Sequence, residues 1–162
     1  MKALINRLLK LKKHIAVAES CTGGLLSKRI TDVSGASAVY ECGVTSYSNE
    51  IKHRVLGVKR ETLDTYGAVS EETAREMAEG VRILGNADIG LSVTGLAGPN
   101  GDGSGKPVGT VCIGVSTAER CYATTFVFAG KRHEIRRRAA KMALNMAYDE
   151  LGTELKDRRT KR

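Results

Sequence analysis

A chain of 162 residues with 41% hydrophobic and 27% charged side chains has the length and balance of one globular domain, which excludes disorder. Its net charge of +8 sits at the ends: residues 1–13 and 156–162 together carry +9, leaving about −1 for everything between. Basic ends, no Trp and only two Phe argue against specific nucleic-acid binding, which needs stacking platforms along a continuous basic face.

Leu4, Leu8 and Leu11 recur at helical spacing with cations between them, so residues 2–12 read as an amphipathic helix. The apolar run from His14 to Ala18 fits a buried strand, which breaks at Glu19-Ser20-Cys21-Thr22-Gly23-Gly24. Helical character resumes from Leu25 to Val33. Residues 39–47 form a second strand, and Ser48-Asn49 caps a short helix through Leu56. Ser70 opens another helix, with Ala74, Met77, Ala78 and Val81 on one face and Gly85 at its end. Residues 87–94 read as a buried strand, followed by a glycine-rich loop from Gly95 to Gly105. Strands at 108–116 and 121–128 form a hairpin around Thr117–Arg120. A last helix spans 131–152, and a basic tail covers 153–162. Strands and helices alternate early and a hairpin comes late. The expected fold is α/β, a mixed and mostly parallel sheet with one antiparallel member, covered by helices on both faces. No repeat or linker divides it, so residues 1–162 read as a single domain.

Four stretches carry groups capable of chemistry. Ser20 lies where a strand gives way to a helix, so its hydroxyl faces the crevice above the sheet. The amides from Cys21 to Gly24 lie at a helix start, where they can hold an anion or oxyanion, and Gly23 and Gly24 admit a ligand to the backbone. The plainer reading makes Ser20 or Thr22 a helix cap. The second stretch runs from Tyr47 to Lys52. A serine hydroxyl needs a base, and a desolvated lysine can serve in its neutral form. His53 is a rival base, but neighbours on a helix project about 100° apart, so one pocket does not take both. A solvated surface Lys52 is the alternative. Third, Thr94 ends a buried strand, and Gly95, Gly98 and the following loop offer amides for an anion. This loop is neither a P-loop nor a dinucleotide fingerprint, because its spacing is wrong and a strand follows it. Fourth, the cations from Lys131 to Arg138 oppose the dipole at a helix start. A phosphate held by Arg136 or Arg137 would explain them, as would a solvated basic face. Cys21, Cys42, Cys112 and Cys121 show no CxxC pair, and the three histidines are scattered, so no metal site is expected. With no long apolar run and no signal-peptide core, the expectation is a cytoplasmic protein that spans no membrane.

The order of these stretches is specific. Ala18–Gly24 (AESCTGG), Tyr47–Lys52 (YSNEIK), Gly67–Ser70 (GAVS), Thr94–Pro99 (TGLAGP) and Lys106–Thr110 (KPVGT) closely resemble the CinA carboxy-terminal domain family, over residues 3 to 151. Enzymatically characterised members of that family are nicotinamide-nucleotide amidohydrolases. The resemblance implies a three-layer α/β/α sandwich that hydrolyses the carboxamide of nicotinamide mononucleotide to nicotinic acid mononucleotide and ammonia. It implies that Ser20 is the nucleophile, Lys52 the lysine that activates it, and Tyr47 a tyrosine hydrogen-bonded within that cluster. Thr94 matches a substrate-contacting hydroxyl, and Arg136 or Arg137 an arginine near the nucleotide phosphate. Cys21, Thr22, Gly23, Gly24, Gly95 and Gly98 fall in the matching substrate-binding loops. A homo-oligomer is implied, and neither metal nor cofactor. Longer relatives carry an amino-terminal domain resembling molybdopterin-binding proteins, so the chain resembles the stand-alone deamidases. The loop Asn100–Gly105 departs from the pattern. No motif implies a role in competence or DNA damage. A reading from another class is a nucleotide- or phosphate-binding domain of the same fold that does not turn its ligand over.

Overall fold

Five strands make one sheet in the order β2-β1-β3-β4-β5. They are β1 (Ile15–Glu19), β2 (Tyr40–Thr45), β3 (Ile89–Gly95), β4 (Thr110–Ser116) and β5 (Cys121–Val127). In this computed structural model β1 runs parallel to β2 and β3, while β4 is antiparallel to both β3 and β5. One strand, β4, therefore opposes the other four, as the sequence predicts. Every residue of β1 and β4 is buried, whereas the edge strands β2 and β5 alternate or stay partly exposed. This explains why β1 reads as an unbroken apolar run: it has a helix layer on each face. The structure describes residues 1–160; side chains from 153 onward and residues 161–162 lie outside it, as do the side chains of the expected basic tail.

On one face, Ile15, Val17, Leu91, Val93 and Ile113 pack against α1 (Lys2–Leu11), α2 (Leu25–Thr31) and α6 (Arg132–Thr160). On the other, Ala16 and Ala18 meet Leu56 of α3 (Asn49–Leu56), Leu63 of α4 (Arg60–Tyr66), and Met77 and Val81 of α5 (Glu71–Leu84). Two glycines let α5 lie this close to the sheet. A Cβ at Gly90 would stand 1.9 Å from the Ala78 carbonyl oxygen, and one at Gly114 would stand 2.3 Å from that of Ala74. The fold is thus a three-layer α/β/α sandwich. No helix among the described residues is long and apolar enough to cross a membrane.

The caps behave as expected: Ser48 Oγ accepts from the Ile51 N–H and Ser70 Oγ from the Thr73 N–H. Helix α4 and the end of α6 differ from expectation. Helix α4 was not anticipated; it has only seven residues, and its first turn has no side-chain cap to announce it. The backbone of α6 continues to Thr160 instead of stopping near 152. The topology places the site. From β1 the chain crosses one face through α2 to β2, then returns over the other face through α3, α4 and α5 to β3. Strand order thus reverses between β1 and β3, and the carboxyl ends of three parallel strands open on one crevice there.

Candidate active site

Ser20 follows β1 directly, and its N–H donates to the Val93 carbonyl at 2.9 Å, so the sheet ladder fixes its position. The chain then turns through Gly23 (φ +57°) and Gly24 (φ +92°), a left-handed path that favours glycine. Neither Ser20 nor Thr22 caps the helix that follows. That task falls to Glu19, which is fully buried; its carboxylate accepts from the N–H groups of Leu26 (3.0 Å) and Ser27 (2.9 Å) and from the Ser27 hydroxyl (2.8 Å). The first-turn amides of α2 are therefore closed to a bound anion, which leaves the expected anion-binding role to the turn before it. Of the amides just before it, Gly23 donates to the Ser20 carbonyl at 3.1 Å. Those of Thr22 and Gly24 have no acceptor among the described residues.

Lys52 comes from α3, on the face that also buries Leu56. Its residue is 1% exposed, and its Nζ lies 2.8 Å from the Ser46 carbonyl oxygen and 3.2 Å from Ser20 Oγ. The meeting follows from strand pairing: β2 lies beside β1, and the Ser46 N–H donates to the Glu19 carbonyl at 2.8 Å. Burial lowers the Lys52 amine from 10.5 to about 8, with the Cys21 side chain opposing that shift. At pH 7 roughly one such amine in ten is neutral, against roughly one in three thousand for an ordinary lysine. A neutral amine keeps N–H groups for the Ser46 carbonyl and a lone pair for the Ser20 proton. His53, the rival base, turns away and places Nδ1 2.8 Å from the Val58 carbonyl oxygen. Burial also pushes the Cys21 thiol up to about 12, which leaves it protonated and a poor nucleophile beside Ser20.

Ser20, Cys21 and Lys52 line a cavity of about 300 Å³, small but within the range of ligand sites. Thr94 and Gly95 form another part of its wall. Thr94 is buried, and its hydroxyl donates to the Ala68 carbonyl at 2.7 Å, so its oxygen remains only as an acceptor. At the mouth the structure corrects two sequence expectations. Tyr47 is 64% exposed, and its hydroxyl accepts from Arg132 at 3.1 Å instead of joining Ser20 and Lys52. Tyr47 precedes the Ser48 cap on the loop from β2, which carries it to the rim while the helix turns Lys52 inward. The arginine on the cavity is Arg132, which also donates to the Gly98 carbonyl at 2.7 Å. Arg136 faces the other way, donating to the carbonyls of Cys21 (3.0 Å) and Thr22 (2.8 Å), and Arg137 is exposed off the cavity. Gly98 itself is backbone support for Arg132 and does not line the cavity.

Sequence reasoning missed Arg132, Asn49 and Asp102, all on the cavity wall. Helical spacing could have found the first: Arg132 and Arg136 are four apart on the side marked by buried Ile135 and Ala139. A larger groove of about 760 Å³ runs between Leu56–Lys59 and α5, lined by Arg54, Glu72, Glu76 and Ile83 among others. It contains neither Ser20 nor Lys52, and chemistry, not size, decides between the two.

Residues 1–151 match the CinA C-terminal domain family. A competence-damage inducible protein of Thermoanaerobacter pseudethanolicus is 54% identical over 145 residues, covering 90% of this chain and 35% of that protein. A CinA-like protein of Syntrophomonas wolfei is 54% identical over 134 residues, covering 83% and 32%. The chain thus spans about a third of the length of these curated relatives. Among solved structures, a CinA superfamily protein from Klebsiella pneumoniae superimposes with a TM-score of 0.91 at 32% identity, covering 93% of this chain and 94% of that one. The competence/damage inducible protein CihA from Agrobacterium tumefaciens gives 0.88 at 37% identity, covering 93% and 92%. With the match extending over nearly the whole chain, in sequence and in fold, the chain belongs to the CinA C-terminal domain family.

Proposed function

We propose that the chain is an amidohydrolase that converts nicotinamide mononucleotide to nicotinic acid mononucleotide and ammonia. The observation that carries this reading is the 3.2 Å contact between Ser20 Oγ and a buried Lys52 whose amine is lowered to about 8. The Ser20 proton passes to the neutral Lys52 amine as Oγ bonds the carboxamide carbon, and the carbonyl electrons move onto oxygen. Amides of the turn after Ser20 stabilise that oxyanion. On collapse the C–N bond breaks, Lys52 returns the proton to the leaving nitrogen, and ammonia departs. Water, deprotonated by the same amine, then cleaves the ester and restores Ser20. The net change is amide plus water to acid plus ammonia. Arg132 at the rim supplies a charge for the phosphate, and the pyridine ring fills the inner cavity. The same family resemblance leads us to propose a homo-oligomer in solution that needs no cofactor.

Incubation with nicotinamide mononucleotide and measurement of ammonia tests the reaction, and hydroxylamine added during turnover should trap the acyl group as a hydroxamate. If the wild-type chain binds the mononucleotide by calorimetry yet releases no ammonia, it is a binding domain instead and the chemical reading is lost.

A further inference from the structure

Arg136 holds the carbonyls of the two residues directly after Ser20. Its Nε donates to the Cys21 carbonyl at 3.0 Å and its Nη2 to the Thr22 carbonyl at 2.8 Å. The same guanidinium covers Gly23, where a Cβ would stand 3.2 Å from Nη2. A trans peptide is planar, with its carbonyl and N–H pointing in opposite directions. Holding the Cys21 and Thr22 carbonyls toward α6 therefore turns the N–H groups of Thr22 and Gly23 away from α6. The Gly23 N–H meets the Ser20 carbonyl at 3.1 Å, while that of Thr22 has no acceptor among the described residues. Thr22 is fully buried, and its hydroxyl is also without a partner. Unmet donors at a buried position are costly, a cost that a transient anion beside them would offset.

We propose that Arg136 is a positioning residue for the amidohydrolase reaction, setting the peptide planes after Ser20 before substrate arrives, and is not a grip on the phosphate. The proposal rests on the amidohydrolase reading. Its chemistry suits arginine, because one planar fork holds two neighbouring carbonyls and a lysine offers only a point charge. Preorganised donors matter most where charge develops, so loosening them lowers turnover more than it weakens binding.

The test compares wild type with Arg136→Lys and Arg136→Ala on nicotinamide mononucleotide and on its unphosphorylated riboside. Both variants should lose kcat on the order of 10–100-fold on both substrates, with KM changed by no more than about twofold. Free guanidinium should restore part of the kcat of Arg136→Ala, and the Thr22 amide resonance should shift in both variants. A raised KM confined to the phosphorylated substrate, with kcat intact, would make Arg136 a phosphate ligand and overturn the proposal. So would an unchanged Thr22 resonance in a folded Arg136→Lys. If Arg136→Ala does not fold, Arg136→Lys carries the comparison. Failure of the wild type on both substrates would sink the amidohydrolase reading instead, and the Thr22 resonance would still report on Arg136.

Discussion

The inner and outer halves of the cavity are built on different principles. Inside, Ser20, Lys52 and Thr94 are fixed by main-chain partners: the Val93, Ser46 and Ala68 carbonyls hold them in place. Outside, Tyr47 and Arg132 meet each other at the surface, and Asp102 sits on a glycine loop, held by Ser104 through its N–H at 3.0 Å. The inner half is largely buried and held by the main chain, whereas the rim is exposed to solvent. Burial also explains why the inner amine is lowered to about 8. Changes inside should therefore alter turnover and proton uptake, and changes at the rim should alter affinity.

The largest effect should come from Ser20→Ala, with turnover of nicotinamide mononucleotide reduced by about 10⁴-fold or more while calorimetry still registers binding. Retained turnover would remove the distinction between the two halves. Lys52→Met should cost on the order of 10²–10⁴-fold in rate, the span expected for loss of a general base. In the wild type, kcat/KM should rise with pH and level off above about 8, because the neutral amine is the active form. Stability runs in the same direction with pH. With a folded pKa of about 8 and an unfolded value of 10.5, the folded state binds fewer protons between those limits, so wild-type stability rises with pH across that window. Lys52→Met removes a buried charge and should raise stability at pH 7 by about 1–3 kcal/mol, the gain shrinking toward pH 10.5. Denaturant titrations at several pH values would measure this, and a less stable variant at pH 7 would contradict it.

At the rim, Arg132→Ala should raise KM for the mononucleotide by about 10–100-fold, as for loss of a charged hydrogen bond, and leave the riboside unaffected. An equal loss on both substrates would place Arg132 in the reacting half. Tyr47→Phe removes only the hydroxyl that accepts from Arg132 and should change KM by about 2–5-fold.

What could be read in advance follows the same division. The strand, glycine turn and helix around Ser20 were legible because periodicity and glycine placement are local signals. So were the caps at Ser48 and Ser70. Helix α4 was not, since seven residues without a capping side chain carry no such signal. The pairing of Ser20 with Lys52 came from the family resemblance, because a lysine beside a histidine on a short helix looks solvated until β2 is known to lie against β1. Thr94 could be placed at a strand end, but its hydroxyl's engagement with Ala68 depends on a segment 26 positions away. The choice among neighbouring arginines failed for a related reason. Arg136 and Arg137 were selected from a charged run, whereas the four-residue step puts Arg132 and Arg136 on one side of the helix, and the fold decides which of those two meets the cavity.

Glu19 gives the site an internal counterion. Its carboxylate already neutralises the positive end of α2, so free phosphate or sulfate gains little by settling near Ser20, and inorganic anions should compete chiefly where Arg132 stands. On the proposed mechanism, Ser20 beside an already neutralised helix end would stay free of such anions and answer only to the negative charge that develops during the reaction.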